Sequence, residues 1–188
     1  MIRLAVVVLL QSCLICNVYA GTIRHASVEY SAGVYSVEFD ALVTAEQPAI
    51  YALLTDFDHF YRLNNVILES AVINQQSDRV KKYRLLLYSC ILFFCRDAEL
   101  TENVQENGKD EIITEVDPAL SDFRSGRSKW KILPEGIGQT SIEIRKNLEP
   151  SFWVPPLIGP WMIKNKLLQE LSVMLDRLEQ YASDQPDS

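Results

Sequence analysis

Between about residues 28 and 150 hydrophobic and polar residues mostly alternate, and the spacing turns helical in one short patch near 47–64. Within 28–43, Val37, Phe39, Ala41 and Val43 fall on one side and Ser36, Glu38 and Asp40 on the other, which predicts a first strand bent near Gly33. Ile50, Leu53, Leu54 and Phe57 then share a helical face, with Thr44 as candidate cap, until Asp56-Phe57-Asp58-His59 interrupts it. Phe60-Tyr61-Arg62-Leu63 supplies another turn, so two short consecutive helices are expected. Strands follow at 66–74, 79–89, 91–105, 111–116, 123–133 and 139–148. The breaks between them include Asn107-Gly108, a pair suited to the positive φ angles of a tight reversal, and Asp117-Pro118.

The spacing becomes helical again near Pro160, where a proline in the first turn costs no hydrogen bond. Trp161, Leu167, Leu168, Leu171, Met174, Leu175 and Leu178 recur at three- and four-residue steps, while Lys164, Lys166, Gln169, Glu170, Asp176, Arg177 and Glu179 fill the other side. One long amphipathic helix over 160–181 is predicted. Hairpin-linked strands make an antiparallel sheet with one buried face, and only this helix is large enough to cover it. The expected fold is therefore α+β: a curved antiparallel sheet of about six or seven strands around a long C-terminal helix, with two short helices after strand 1. A single helix cannot fill a deeply curved sheet, so an apolar cavity is expected between them.

The 188 residues are 48% hydrophobic and 23% charged, an ordinary mix for one globular domain. Arg3, the apolar run 4–16 and Val18-Tyr19-Ala20 have the order of a secretory signal peptide with cleavage after Ala20. An uncleaved anchor is the alternative, although the run is shorter than the roughly 18–20 residues of a membrane span. The resulting division is a signal peptide at 1–20, a ligand-binding domain at 21–182 and a disordered tail at 183–188, in a protein exported to the periplasm. The net charge of −7 argues against nucleic acid as a partner, and loss of Arg3 makes the remainder more acidic still.

Phe39-x-Ala41, Ala49-x-Tyr51-x-Leu53-Leu54-Thr55-Asp56-Phe57, Ser128-x-Trp130-x-Ile132, the stretch 136–144 and the amphipathic C-terminal helix together resemble the START-like (SRPBCC) superfamily. That superfamily includes polyketide cyclases, the birch-pollen allergen type and coenzyme Q-binding proteins. The resemblance spans roughly residues 28–180 and implies a helix-grip fold with a hydrophobic tunnel between sheet and helix. The fold hosts carriers, lipid-transfer domains and some enzymes, so it does not select among them.

Trp161, Leu168, Leu171 and Leu175 on the helix, and Phe94, Leu100, Trp130, Ile142 and Ile144 on the sheet, are the candidate ligand-binding residues; each could equally fill the core. Cys90 and Cys95 would stand about 16 Å apart in one extended strand, beyond the roughly 4.4–6.8 Å a disulfide tolerates. Bridging them requires a reversal at 91–94, and an oxidising compartment favours the bridge. The apolar run 152–161 reads either as a cavity mouth making transient contact with a membrane surface or as a buried connection. Arg124, Arg127, Lys129, Lys131, Arg145 and Lys146 form a basic strip that could attract anionic headgroups or simply be solvated. Asp56, Asp58 and His59 are the sole candidates for proton transfer, and as often cap helix ends. No pattern calls for a metal or cofactor. The expected function is carriage of a hydrophobic small molecule such as a lipid, quinone or polyketide, with a cyclase/aromatase-type enzyme or a solid interaction module as alternatives.

Overall fold

The structure, a computed structural model, describes residues 21–91, 94–154 and 159–184; the side chains of Ile91 and Phe94 are not part of that description. The expected signal peptide and residues 155–158 and 185–188 lie outside the described residues. Eight described strands form one antiparallel sheet: β1 Thr22–Ser31, β2 Val34–Val43, β3 Ile67–Ser77, β4 Val80–Ile91, β5 Phe94–Asn107, β6 Glu111–Val116, β7 Phe123–Pro134 and β8 Thr140–Pro150. Their spatial order is β1-β2-β8-β7-β6-β5-β4-β3. Helix α1 (Gln47–Thr55) and a 3₁₀ turn (Phe60–Leu63) carry the chain from β2 to the far edge. The meander β3 to β8 then returns until β8 pairs with β2.

The sheet has one strand more than the six or seven expected. The bend expected at Gly33 is a full reversal: Ala32 and Gly33 both have positive φ, 51° and 92°, and β1 folds back on β2 with Ser31 opposite Val34. Two successive positive φ angles give a two-residue hairpin whose twist matches that of its strands. An alanine in the first position hides this turn from the sequence. In β2 the alternation is strict, with Tyr35, Val37, Phe39, Ala41 and Val43 buried.

Helix α2 (Gly159–Ser183) crosses the sheet and packs against β1, β2, β4, α1 and the 3₁₀ turn. Its buried residues are Gly159, Glu170, Met174, Leu175 and Leu178. Met174, Leu175 and Leu178 join the main core with Phe39, Ile50, Leu54, Leu100, Ile132, Ile142 and Ile144. Ile163, Leu167, Leu168 and Leu171, half-buried, cover a second cluster of Val28, Tyr35 and Val37.

Three polar residues assigned by periodicity to the outer side of α2 instead fasten it. Glu170 is 3% exposed and accepts the Asn65 N–H at 3.0 Å, with Lys166 at 2.6 Å. Arg177 donates to the Arg62 carbonyl and to the Asn65 side chain. Glu179 accepts the N–H groups of Gly21 and Thr44. Thr44 is thus held by α2 and does not cap α1, which starts after Glu46 with no side-chain cap.

Candidate functional site

The face of the sheet beneath α2 carries a polar row amid its apolar residues. In β5, Leu100, Glu102 and Val104 point the same way, and all three are buried. Glu102 has 0% exposure, so its carboxylate must be satisfied by protein groups. The Tyr83 hydroxyl donates to Oε2, Thr114 Oγ1 donates to Oε1 at 2.9 Å, and Lys146 Nζ lies 2.9 and 3.1 Å from the two oxygens. With Thr114 donating to Glu102, Ser128 donates to Thr114 at 2.6 Å and Trp130 Nε1 donates to Ser128 at 2.8 Å. Every hydrogen in the row therefore runs toward one carboxylate, with contributions from β4, β5, β6, β7 and β8.

Strand geometry explains how these residues meet. Lys146 is on β8 and Glu102 on β5, three strand spacings apart, about 14 Å along a flat sheet. Their contact at 2.9 Å requires a strongly concave sheet as well as two long side chains. Gly126 sits on the same face, where an added Cβ would lie 2.6 Å from Val116 and 2.8 Å from Leu148. The missing side chain lets β6 and β8 close over β7. Burial, reinforced by the Glu102 charge and hydrogen bond, drives the Tyr83 phenol well above its ordinary pKa and keeps it a donor.

Aromatic rings lie over this row. Phe57 stacks on Tyr83 at 4.7 Å, and Phe60 lies 6.0 Å from Trp130 between ring centroids. Nearer α1, Lys81 pairs with Glu106 at 2.9 Å, and Glu106 accepts the Tyr51 hydroxyl at 2.7 Å. Burial comes first and the Glu106 bond second in raising the pKa of Tyr51. Tyr35, 2% exposed on β2, has a hydroxyl without a hydrogen-bond partner; burial, then neighbouring Tyr30, pushes it up to about 12.

Ile132, Ile142 and Ile144 on the same inner face are fully covered, yet Trp130, Lys146 and Leu148 keep partial exposure. Leu168 and Leu171 of α2 are likewise only half-buried. Large apolar side chains on the inner face and on α2 are thus incompletely covered by the described residues.

Leu100, Trp130, Ile142 and Ile144 lie on this inner face, and Leu175 is in the core beneath α2 with Leu171 packed at its margin. Leu168 lies over the second cluster. Trp161 stands apart, 64% exposed at the start of α2. Phe94 opens β5, and its side chain lies outside the described residues. Cys90 and Cys95 face each other across the β4–β5 hairpin and are joined by a disulfide, with Cα atoms 3.9 Å apart.

The basic strip is largely neutralised: Lys129 pairs with Glu111, Lys131 with Glu143, Arg145 with Asp40 and Arg124 with Glu149. Lys146 leaves the strip for the inner face. Asp56 and His59 meet at 2.9 Å at the surface, and Asp58 accepts the Val72 N–H, so these three tie a corner together. A cleft of about 240 Å³, lined by Tyr61, Leu68, Glu69, Ser70, Ala71 and Arg84, opens at the β3 edge and is separate from the polar row.

Sequence reasoning named Trp130 and Lys146, and Ser128 only within a family motif, but not their partners Tyr83, Glu102 and Thr114. A signal existed: Ala98, Leu100 and Val104 are in step, and the in-phase position between the last two is a glutamate.

No family model matches the chain, and no curated protein matches it. Solved structures do. An aromatase/cyclase, ZhuI from Streptomyces sp. R1128, superposes with a TM-score of 0.65 at 10% identity, over 80% of this chain and 94% of that one. A START superfamily protein from Mycobacterium smegmatis gives 0.62 at 20% identity, over 79% and 97%. A STAR-related lipid transfer protein from Xanthomonas axonopodis gives 0.59 at 14%, over 84% and 98%. The chain has the START-like helix-grip fold.

Proposed function

We propose that this protein carries a hydrophobic small molecule in the space between the inner face of the sheet and α2. The carrying observation is the partial exposure of Trp130 and Leu148, and of Leu168 and Leu171, on surfaces that face the interior. Burying several hundred Å² of apolar ligand there contributes several kcal/mol at about 25 cal/mol per Å², before ordering costs. The Glu102–Lys146 row supplies a polar anchor at one end, which suits an amphipathic lipid, quinone or polyketide-like molecule better than a pure hydrocarbon. The lipid-transfer protein among the structural neighbours supports this reading.

Carriage belongs outside the cytoplasm, in the periplasm. The leader pattern of residues 1–20 supports export, and the Cys90–Cys95 bridge suits an oxidising compartment. Loading takes place in transient contact with a membrane surface, supported by two exposed indoles, Trp153 at 71% and Trp161 at 64%. The test is native mass spectrometry of the purified exported protein, followed by organic extraction. Co-purified lipid, quinone or polyketide supports carriage. Empty protein that fails to bind a panel of lipophiles overturns it.

One observation favours a second reading, a cyclase/aromatase-type enzyme. Tyr83, Glu102 and Lys146 put three titratable groups in one interior row, as proton transfer to a bound ligand requires. The aromatase/cyclase neighbour supports it. Conversion of a bound polyketide that is lost in Glu102→Gln while binding persists would select this reading over carriage.

A further inference from the structure

Glu179 is held unlike the other glutamates of the interior. Glu102, Glu106 and Glu170 each face a lysine: Lys146, Lys81 and Lys166. Glu179 instead reaches from the last turns of α2 to two backbone nitrogens, Thr44 at 2.8 Å and Gly21 at 2.5 Å. The contact spans 158 positions and links α2 to the very start of β1. A carboxylate held by amides alone lacks the cation that its half-buried position favours.

Gly21 is also the residue that would follow the predicted cut. Val18 and Ala20 occupy the positions three and one before it. The structure favours glycine at the same position on separate grounds. An added Cβ at residue 21 would lie 2.8 Å from Glu179 Oε1, 2.9 Å from its Cδ and 3.1 Å from the Leu42 carbonyl oxygen. Glycine there gives the carboxylate its closest approach to the nitrogen, since a side chain would push Glu179 aside and crowd the Leu42 carbonyl. A cut one bond earlier leaves an amide at residue 21, and a cut one bond later removes the nitrogen altogether.

We propose that Glu179 is the receptor for a new amino terminus, created when a signal peptidase hydrolyses the Ala20–Gly21 bond. Water adds across that bond: its oxygen goes to the Ala20 carbonyl carbon, which leaves on the leader as a carboxylate, and the Gly21 nitrogen gains hydrogen. At neutral pH the α-amine is mostly ammonium, since its ordinary pKa is about 7.7–8.0 and an adjacent carboxylate favours the charged form. The amide contact thus becomes a charge-assisted one of roughly twice the strength. Processing supplies the missing cation and fastens β1, β2 and the end of α2 at one point. Export and completion of the fold are thereby coupled, independently of what the protein carries.

The full-length chain, expressed with its own leader and exported, provides the test. N-terminal sequencing and intact mass of the product should give Gly21 as first residue. A second chain carries one serine inserted between Ala20 and Gly21, so that its product, verified by sequencing, returns residue 21 to an amide. That insertion should lower Tm by roughly 2–4 °C. In a Glu179→Gln background it should have no further effect, because either change already removes the same charge pairing. As a second readout, the native amine should react with an acylating reagent several-fold more slowly than the serine amine. A product starting elsewhere than Gly21, additive Tm changes or equal amine reactivity would each overturn the proposal.

Discussion

The carboxylate of Glu102 and the ammonium of Lys146 lie 2.9 Å apart although β6 and β7 stand between their strands. The pair bridges the concavity of the sheet, and its members are unequally covered: the glutamate has no exposure, while the lysine side chain keeps 19%. Removing the lysine alone leaves a buried charge, whereas neutralising both removes the debt with its cause. Lys146→Met should destabilise the protein by about 3–5 kcal/mol, and Glu102→Gln/Lys146→Met by clearly less. Chemical denaturation of both variants checks the order.

Tyr35 and Tyr83 bind their protons more tightly folded than unfolded, Tyr35 with its pKa pushed up to about 12 by burial first and Tyr30 second. Below pH 10 both states are protonated, so neither phenol makes stability depend on pH. As pH rises from about 10 toward 12 the unfolded chain releases protons that the folded chain retains, so stability falls through that window. Ultraviolet absorbance should show these phenols ionising together with loss of the circular dichroism signal, later than exposed tyrosines.

Gly126 allows Val116 and Leu148 to approach across the inner face. In Gly126→Ala the new methyl group would also stand 3.2 Å from the Asn147 carbonyl oxygen, which is backbone and cannot step aside. A loss of about 1–3 kcal/mol is expected, read as a lower Tm with unchanged secondary structure.

Cys90 and Cys95 close a loop of six residues, for which chain entropy gives about 2 kcal/mol of stabilisation. Reduction, or Cys90→Ser/Cys95→Ser, should lower Tm by several degrees and leave the strand pairing in place, since both residues also sit opposite each other in the β4–β5 ladder. Differential scanning calorimetry with and without reductant measures this.

Trp153→Ala/Trp161→Ala should fold normally and slow ligand exchange between vesicles several-fold, because both rings are exposed and indoles favour the headgroup boundary. Fluorescent lipid transfer between liposomes reads the effect. Equal rates would remove these residues from membrane contact.

Periodicity made the long helix, the meander and the grip legible, because each depends on apolar residues recurring with a fixed step. Position 33 was harder: a reversal through Ala32 lacks the Asn-Gly signature that marks residues 107–108. The polar row was harder again. Glu102 and Ser128 occupy in-phase inner positions, and a pattern that sorts charge outward and grease inward passes over a charge that points in. Glu170 and Glu179 misled for the same reason, since a helix period gives direction around an axis but not what waits there. Partners on β4, β6, β7 and β8 come from sheet order and curvature, which no local stretch encodes.

The direction of hydrogens in the inner row sets a rule for the guest proposed above. Tyr83, Thr114, Ser128 and Trp130 have their protons committed along the chain to Glu102, and in this row Lys146 alone is a charged group that keeps partial exposure. The wall thus presents an N–H and withholds lone pairs. Under the proposed carriage, a guest ending in a carbonyl, phosphate or carboxylate would find a donor there, whereas one ending in an amine would find no free acceptor.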